Sequence, residues 1–246
     1  MRLYDEIIHD ILTSLEKQDK HILPVGVAAD PVSRDWQDAG KAMMILQSDM
    51  AYELGGHNLP AVGNTLVTTG KDFVPEDEII LIGKDLPEIT EDTPYARIAL
   101  VRVAEDSIGT GDRLYNTIRN IGYFRYHIYP KGFMLRVSSS NDRESVRVEA
   151  EALNEGLNFT AIGNAMLRAL HLHKEVEAVR IIFVTDPKVD YGRLQDGLKN
   201  NKQITATIDH MLKDVNMDCG SCGLQEICDE IEGLREMHFG MSEEHT

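Results

Sequence analysis

The chain has 246 residues, 42% of them hydrophobic, and its 41 acidic and 25 basic residues give a net charge of −16. This length and composition predict a globular fold with a real core, and the acidic balance argues against nucleic acid or an anionic membrane surface as the main partner. No stretch approaches 18 consecutive apolar residues and the N-terminus has no signal-peptide pattern, so we expect no membrane span and a reducing, cytoplasmic location.

The first predicted elements are helices. Apolar residues at i, i+4 and i+8 predict an amphipathic helix over 3–17. A second helix is predicted over 36–54, where the glycines and proline of "ELGGHNLPAVGN" end it. Short apolar runs then predict strands over 77–83 and 95–104.

The middle of the chain is predicted to alternate between helix and strand. A helix is expected over 112–122, followed by strands over 123–129 and 132–138 that are joined by a tight turn at 130–132. The stretch "SSSNDRESVRVEAEALNEG" reads as a polar loop that enters a helix.

The last regular elements are expected to be a helix, a strand and a long helix. The helix over 158–173 is capped near Asn158 or Thr160, the strand covers 176–186, and the long helix runs over about 190–215.

The order of elements predicts an α/β fold, with α+β as the alternative. We expect a mixed sheet with flanking helices, and a division into an N-terminal helical segment (1–72), an α/β domain (73–215) and a cysteine-rich tail (216–246).

The three cysteines of the chain lie close together in the tail. Cys219, Cys222 and Cys228 are spaced Cys-x2-Cys-x5-Cys, with a glycine after each of the first two. Thiolates bind zinc and iron–sulfur clusters, and such sites usually have four ligands. Histidine is the better borderline donor among the neighbouring side chains, which favours His238 and then His210 as the fourth ligand.

Three interpretations of this cluster are open from the residues alone. It could hold an iron–sulfur cluster, or zinc or nickel in an accessory or structural module, with either a fourth ligand or an open position. The third is a redox pair of Cys219 and Cys222, which would leave Cys228 without a role.

Several basic side chains stand out on predicted strands of this acidic chain. Arg97, Arg102, Arg125 and Arg136 could meet on one sheet face and form an anion pocket. The alternative is that each pairs with one of the abundant carboxylates.

Three stretches resemble a known family. They are "YARIALVRVAEDSIGTGDRLYNTIRNIGYFRYHIYPKGFMLRVS", "EGLNFTAIGNAML" and "VEAVRIIFVTDPKVDYGRLQ". Together with "YELGG" upstream, they are similar to the middle domain of acetyl-CoA synthase, the beta subunit of the carbon monoxide dehydrogenase/acetyl-CoA synthase complex, over roughly 50–215.

The resemblance implies an iron–sulfur protein of anaerobic one-carbon metabolism. Four family cysteines spaced Cys-x2-Cys-x8-Cys-x9-Cys hold a [4Fe–4S] cluster. Here Cys228 follows at five residues, and the fourth family position falls on His238. The later Cys-x-Cys pair that binds nickel is not in this sequence, so we expect an accessory or partial subunit.

The resemblance also implies partners and ligands. Partners would be components of the carbon monoxide dehydrogenase/acetyl-CoA synthase complex, a corrinoid protein or ferredoxin. Coenzyme A would be a candidate ligand of the arginine pocket. Any activity would be the acyl transfer of acetyl-CoA synthase, within a larger complex.

Overall fold

Two β-sheets form the framework of the protein in the computed structural model, which describes residues 4–26, 36–56, 58–105, 112–138 and 143–212. The larger sheet is mixed and has five strands, and the smaller is antiparallel and has three. This confirms the predicted α/β class with a mixed sheet and flanking helices.

The five-stranded sheet has the order β1-β4-β8-β5-β3. Its strands are β1 (His21–Leu23), β3 (Ala61–Thr68), β4 (Glu78–Ile82), β5 (Tyr95–Val103) and β8 (Val176–Val184). The pairs β3–β5 and β4–β8 are parallel, whereas β5–β8 and β1–β4 are antiparallel. Strands β4, β5 and β8 are buried along most of their length, which explains their nearly continuous apolar sequences.

The three-stranded sheet has the order β2-β7-β6, with both pairs antiparallel. Its strands are β2 (Met50–Leu54), β6 (Phe133–Ser138) and β7 (Arg143–Glu149). Every second residue of β7 is buried, so one face of this sheet packs towards the larger sheet through contacts with β3.

Helices flank the two sheets. They are α1 (Asp5–Ser14), α2 (Asp112–Gly122), the short α3 (Ala150–Asn154), α4 (Phe159–Leu170) and α5 (Tyr191–Leu212). Helix α4 packs on β4 and β8, whereas α5 packs on α1, α2 and β3. Across the described ranges, no helix combines the length and the apolar character that a membrane span needs.

Most predicted elements form close to their expected bounds. The helices near 5–14, 112–122, 159–170 and 191–212 are confirmed, and so are the strands near 78–82, 95–103, 133–138 and 176–184. Gly132 adopts φ +75° in the turn before β6, a backbone conformation that favours glycine.

The helix predicted over 36–54 is wrong. Residues 36–49 form no regular helix, and Met50–Leu54 form β2, whose pairing with β7 outweighs the local preference for helix. Trp36 is held by a tertiary contact instead, because its indole N–H donates to the carbonyl of Lys131 over 2.7 Å.

Two further local predictions are wrong. Tyr123–Tyr126 form a 3₁₀ turn rather than a strand, because the buried residues of this stretch, Phe124 and Ile128, are four apart rather than two. Arg143–Glu149 form β7 rather than a polar loop, since Glu144, Val146 and Val148 are all buried on one face.

Strand β3 was not predicted. Its Ala61, Gly63 and Asn64 belong to a sequence typical of a turn, yet they pair with β5 and are buried. The first 72 residues therefore contribute β1, β2 and β3 to the two sheets. The domain division at 72 and 215 stays a prediction, and the tail from 216 lies outside the described residues.

The cap of α4 gives a test of the local structure. The Asn158 side-chain oxygen accepts a hydrogen bond from the backbone N–H of Ala161 over 2.9 Å. We expect Asn158→Ala to lower the free energy of unfolding by about 1 kcal/mol, because one backbone donor loses its acceptor. Denaturant unfolding checks this. Asn158→Asp keeps an acceptor and should lose much less, so equal losses would contradict the assigned cap.

Candidate functional site

A buried ion pair joins the two sheets. Arg97 of β5 and Glu144 of β7 are both almost fully buried, and two hydrogen bonds of 2.5 and 2.7 Å connect the guanidinium to the two carboxylate oxygens. Burial opposes the charged guanidinium, but the charge and hydrogen bonds of Glu144 prevail and raise the pKa of Arg97. This pair is therefore ionised and fixes β7 against β5.

The rest of the Arg97 guanidinium is also occupied. Nη1 donates weakly, over 3.3 Å each, to the carbonyl of Asn64 and to the hydroxyl of Thr65, and the guanidinium carbon lies 5.1 Å from the centroid of the Phe124 ring. Burial and the charge of Glu144 raise the pKa of the neighbouring Tyr95 well above its ordinary value. Arg97 thus acts as a structural cation with internal partners.

Gly63 makes room for Glu144. A Cβ atom at Gly63 would lie 2.1 Å from one carboxylate oxygen of Glu144 and 2.5 Å from its Cβ. Since Arg97 holds that carboxylate in place, the neighbour cannot move aside. Glycine at this position is therefore required by the ion pair.

Arg125 is a second cation beside the same carboxylate. Its Nη1 lies 4.0 Å from Glu144, and its guanidinium carbon lies 5.1 Å from the centroid of the Tyr126 ring. Its buried Nε has no hydrogen-bond partner among the described residues. Two arginines therefore share one carboxylate, which leaves local positive charge.

A cavity of about 360 Å³ lies where α2 and α5 meet the start of β3. Arg119, Arg125 and Lys202 line it, together with Asn64 and Asn201. Partial burial and the positive charge of Arg125 lower the pKa of Lys202. This cavity is therefore positively charged in a strongly acidic protein.

A second cleft, of about 580 Å³, lies on the other face of the small sheet. Arg136, Arg143 and Arg147 project there, and Glu53 accepts hydrogen bonds from Arg136 and Arg147 over 2.8 and 2.7 Å. Arg143 donates to the carbonyls of Gly55 and Leu59. These arginines therefore bind β2 and the loop that follows it.

A third cavity, of about 320 Å³, connects two of the predicted arginines. Arg125 and Arg136 both line it, with Lys41 and with Tyr126 and Tyr129. Arg97 and Arg102 do not line it. Arg102 instead donates to Glu177 over 3.1 Å and to the carbonyls of Val74 and Pro75.

The four predicted arginines are thus brought together only in part. Arg97 and Arg125 meet at Glu144, Arg125 and Arg136 share a cavity, and Arg102 lies apart from them. The sequence did not indicate Lys202 or Asn64. A basic residue on the long predicted helix was the only available signal for Lys202.

The predicted metal ligands Cys219, Cys222, Cys228 and His238 lie outside the described residues. Within the described ranges, no group of three or more His, Cys, Asp or Glu side chains is placed to hold a metal ion. The donor chemistry of the tail itself fits a soft or borderline metal, because it offers three thiols in ten residues.

Comparison with known proteins identifies one family. Residues 37–189, more than half of the chain, match the family model described as CO dehydrogenase/acetyl-CoA synthase complex beta subunit. The match covers β2 to β8, and therefore every strand of the two sheets except β1, together with the Arg97–Glu144 pair. No curated protein matches the chain.

The need for glycine at 63 can be tested with a matched pair. We expect Gly63→Ala to lower the free energy of unfolding by about 2 kcal/mol or more, because the added methyl group overlaps Glu144 in a buried site. Gly122→Ala is the control, since a Cβ there would meet no atom within 4 Å. Denaturant unfolding compares the two, and similar stabilities would contradict the proposed crowding.

The buried Arg97–Glu144 pair can be compared with the Arg102–Glu177 pair, whose arginine also lies on β5. Glu144→Gln leaves the buried Arg97 without its counter-charge, so we expect a loss of about 3 kcal/mol in unfolding free energy. Glu177→Gln removes the half-exposed partner of Arg102 and should cost less than about 1 kcal/mol. Equal losses in a urea titration would show that burial of the pair has no special effect.

Proposed function

Because the chain belongs to the CO dehydrogenase/acetyl-CoA synthase complex beta subunit family, we propose that it is an iron–sulfur protein of the acetyl-CoA pathway. In this proposal, Cys219, Cys222 and Cys228 hold the cluster, with His238 as the fourth ligand. A [4Fe–4S] cluster would supply one-electron chemistry or the anchor for a second metal.

One observation carries this proposal, namely the order of the two parts along the chain. The family match ends at residue 189, α5 (Tyr191–Leu212) follows at once, and Cys219 comes seven residues after the end of that helix. A cysteine cluster placed directly after the family domain is the arrangement that the resemblance implies for an iron–sulfur site.

The donor set supports an iron–sulfur cluster but also fits a second candidate. Three thiolates and one imidazole form an ordinary structural zinc site, so the alternative is a zinc- or nickel-binding accessory module without catalytic activity. Both candidates predict that the cysteines act as thiolates in a reducing cytoplasm.

Partners and ligands follow from the same family membership. We propose that the chain acts with other components of the CO dehydrogenase/acetyl-CoA synthase complex, and that a corrinoid protein or ferredoxin is a partner. Coenzyme A is proposed as a ligand of the cavity that Arg125 and Arg136 both line. Arg97 and Arg102 are weaker candidates for this ligand, because their hydrogen bonds go to acceptors within the protein.

Elemental analysis tests the iron–sulfur proposal. Protein purified without oxygen should be brown and contain about four irons per chain, with the visible absorption of an iron–sulfur cluster. Colourless protein with one tightly bound zinc would replace this proposal with the zinc alternative. Metal-free protein with a reversible Cys219–Cys222 disulfide would overturn both.

The ligand set has its own test. Replacing any of the three cysteines by Ser should remove most of the metal, because each thiolate forms one of the few bonds that hold it. His238→Ala should also lower the metal content, whereas His245→Ala, the control in the same tail, should not. Unchanged metal content in His238→Ala would leave the three cysteines with a different fourth ligand.

A further inference from the structure

Strand β6 lies at the end of the small sheet, and one of its edges is open among the described residues. The backbone N–H of Glu149 donates to the carbonyl of Gly132 over 3.0 Å, which fixes the hydrogen-bonding pattern between β7 and β6. Every second residue of an antiparallel strand bonds to the partner strand, so the N–H and C=O groups of Leu135 and Val137 point away from β7. Within the described ranges these four backbone groups have no hydrogen-bond partner. Such an edge is a template for one more strand.

The cavity of about 320 Å³ that Arg125 and Arg136 share gives access to this edge. Four consecutive residues of β6, 134–137, line the cavity, together with residues from 41–43 and 125–129. Since consecutive strand residues point to opposite faces, a cavity that touches all four contacts the strand along its edge.

The charge of the cavity determines which kind of strand can pair there. Lys41 is exposed and has no ion pair among the described residues, and the Arg136 side chain is 46% exposed. Arg125 has only a share of Glu144, which Arg97 already binds. None of the described residues that line the cavity is acidic. A second copy of β6 would place like charges against each other, whereas an acidic strand would be attracted.

The last part of the chain contains an acidic segment with a matching pattern. Residues 213–246 include nine acidic and two basic residues. Within 226–232, "EICDEIE", three glutamates occupy even positions and two isoleucines occupy odd positions. As a strand, this segment would present the glutamates on one face and the isoleucines on the other. β6 alternates in the same way, with the exposed Arg136 between the half-buried Leu135 and Val137.

The segment has enough chain to reach the cavity. Residues 213–225 separate it from the end of α5, and they span up to about 45 Å when extended. Lys202 of α5 lines one cavity with Arg125, and Arg125 also lines the cavity at β6. Leu212 lies only about 15 Å further along the helix than Lys202, so the distance to β6 is short compared with the available chain.

We propose that residues 226–232 add to the open edge of β6 as a further strand. Their backbone bonds to Leu135 and Val137, their glutamates lie on the face of Arg136, and their isoleucines extend the apolar face beside Leu135 and Val137. The pairing does not require a bound metal, so it is independent of the metal proposal. A docked segment would compete with coenzyme A for this cavity.

Amide hydrogen exchange in the full chain tests this proposal. We expect the amides of Leu135 and Val137 to exchange slowly, because each donates to the added strand. Glu230→Lys combined with Glu232→Lys should speed this exchange by about tenfold or more, since two attractive cross-strand charges become repulsive. Glu243→Lys combined with Glu244→Lys is the control, because it makes the same change of charge in the tail but outside the segment. It should change the exchange less than about twofold.

Reversing a charge of the cavity completes the test. Arg136→Glu should also speed exchange at Leu135 and Val137, and adding Glu230→Lys and Glu232→Lys to it should restore slow exchange, because the charges attract again. Fast exchange of both amides in the unmodified chain, or an equal effect of the control variant, would overturn the proposal. Slow exchange that depends on protein concentration would assign the edge to a second copy and overturn it as well.

Discussion

The buried ion pair between Arg97 and Glu144 is the constraint on which much of this structure depends. It joins the small sheet to the large one, and it requires a residue without a side chain at position 63. A charged group in a core is tolerated only when its hydrogen bonds are complete, which explains why Asn64 and Thr65 also face the guanidinium. The polar cluster in turn places Arg125 beside a carboxylate that is already neutralised.

The sequence predicts the parts of the fold that are determined locally. Strands β4, β5 and β8 have apolar runs because they are buried on both faces, and α4 has an N-cap that can be recognised directly. Strand β3 escapes prediction because its Gly63 and Asn64 are typical of turns and serve distant partners. Strand β7 escapes prediction because Glu144 makes its inward face look polar. The sequence does not show that this carboxylate is paired with Arg97, which is 47 residues away.

The same limit applies to the candidate sites. Basic residues on predicted strands indicated Arg97, Arg102, Arg125 and Arg136, but nothing local distinguishes an arginine paired inside the core from one that faces a cavity. Lys202 and Asn64 come together only because α5 packs across the start of β3. The cysteine cluster is the opposite case, because short spacing alone suggests its chemistry.

The position of β8 in the large sheet has a consequence for the order in which the protein is made. β8 lies between β4 and β5 and is the only strand that joins β1-β4 to β5-β3, yet it is the last of the eight strands in the described chain. A ribosome must therefore synthesise residues up to Val184 before the two halves of the sheet can unite. Until then, β4 and β5 each have an open apolar edge, which is the kind of surface through which partly folded chains pair with one another.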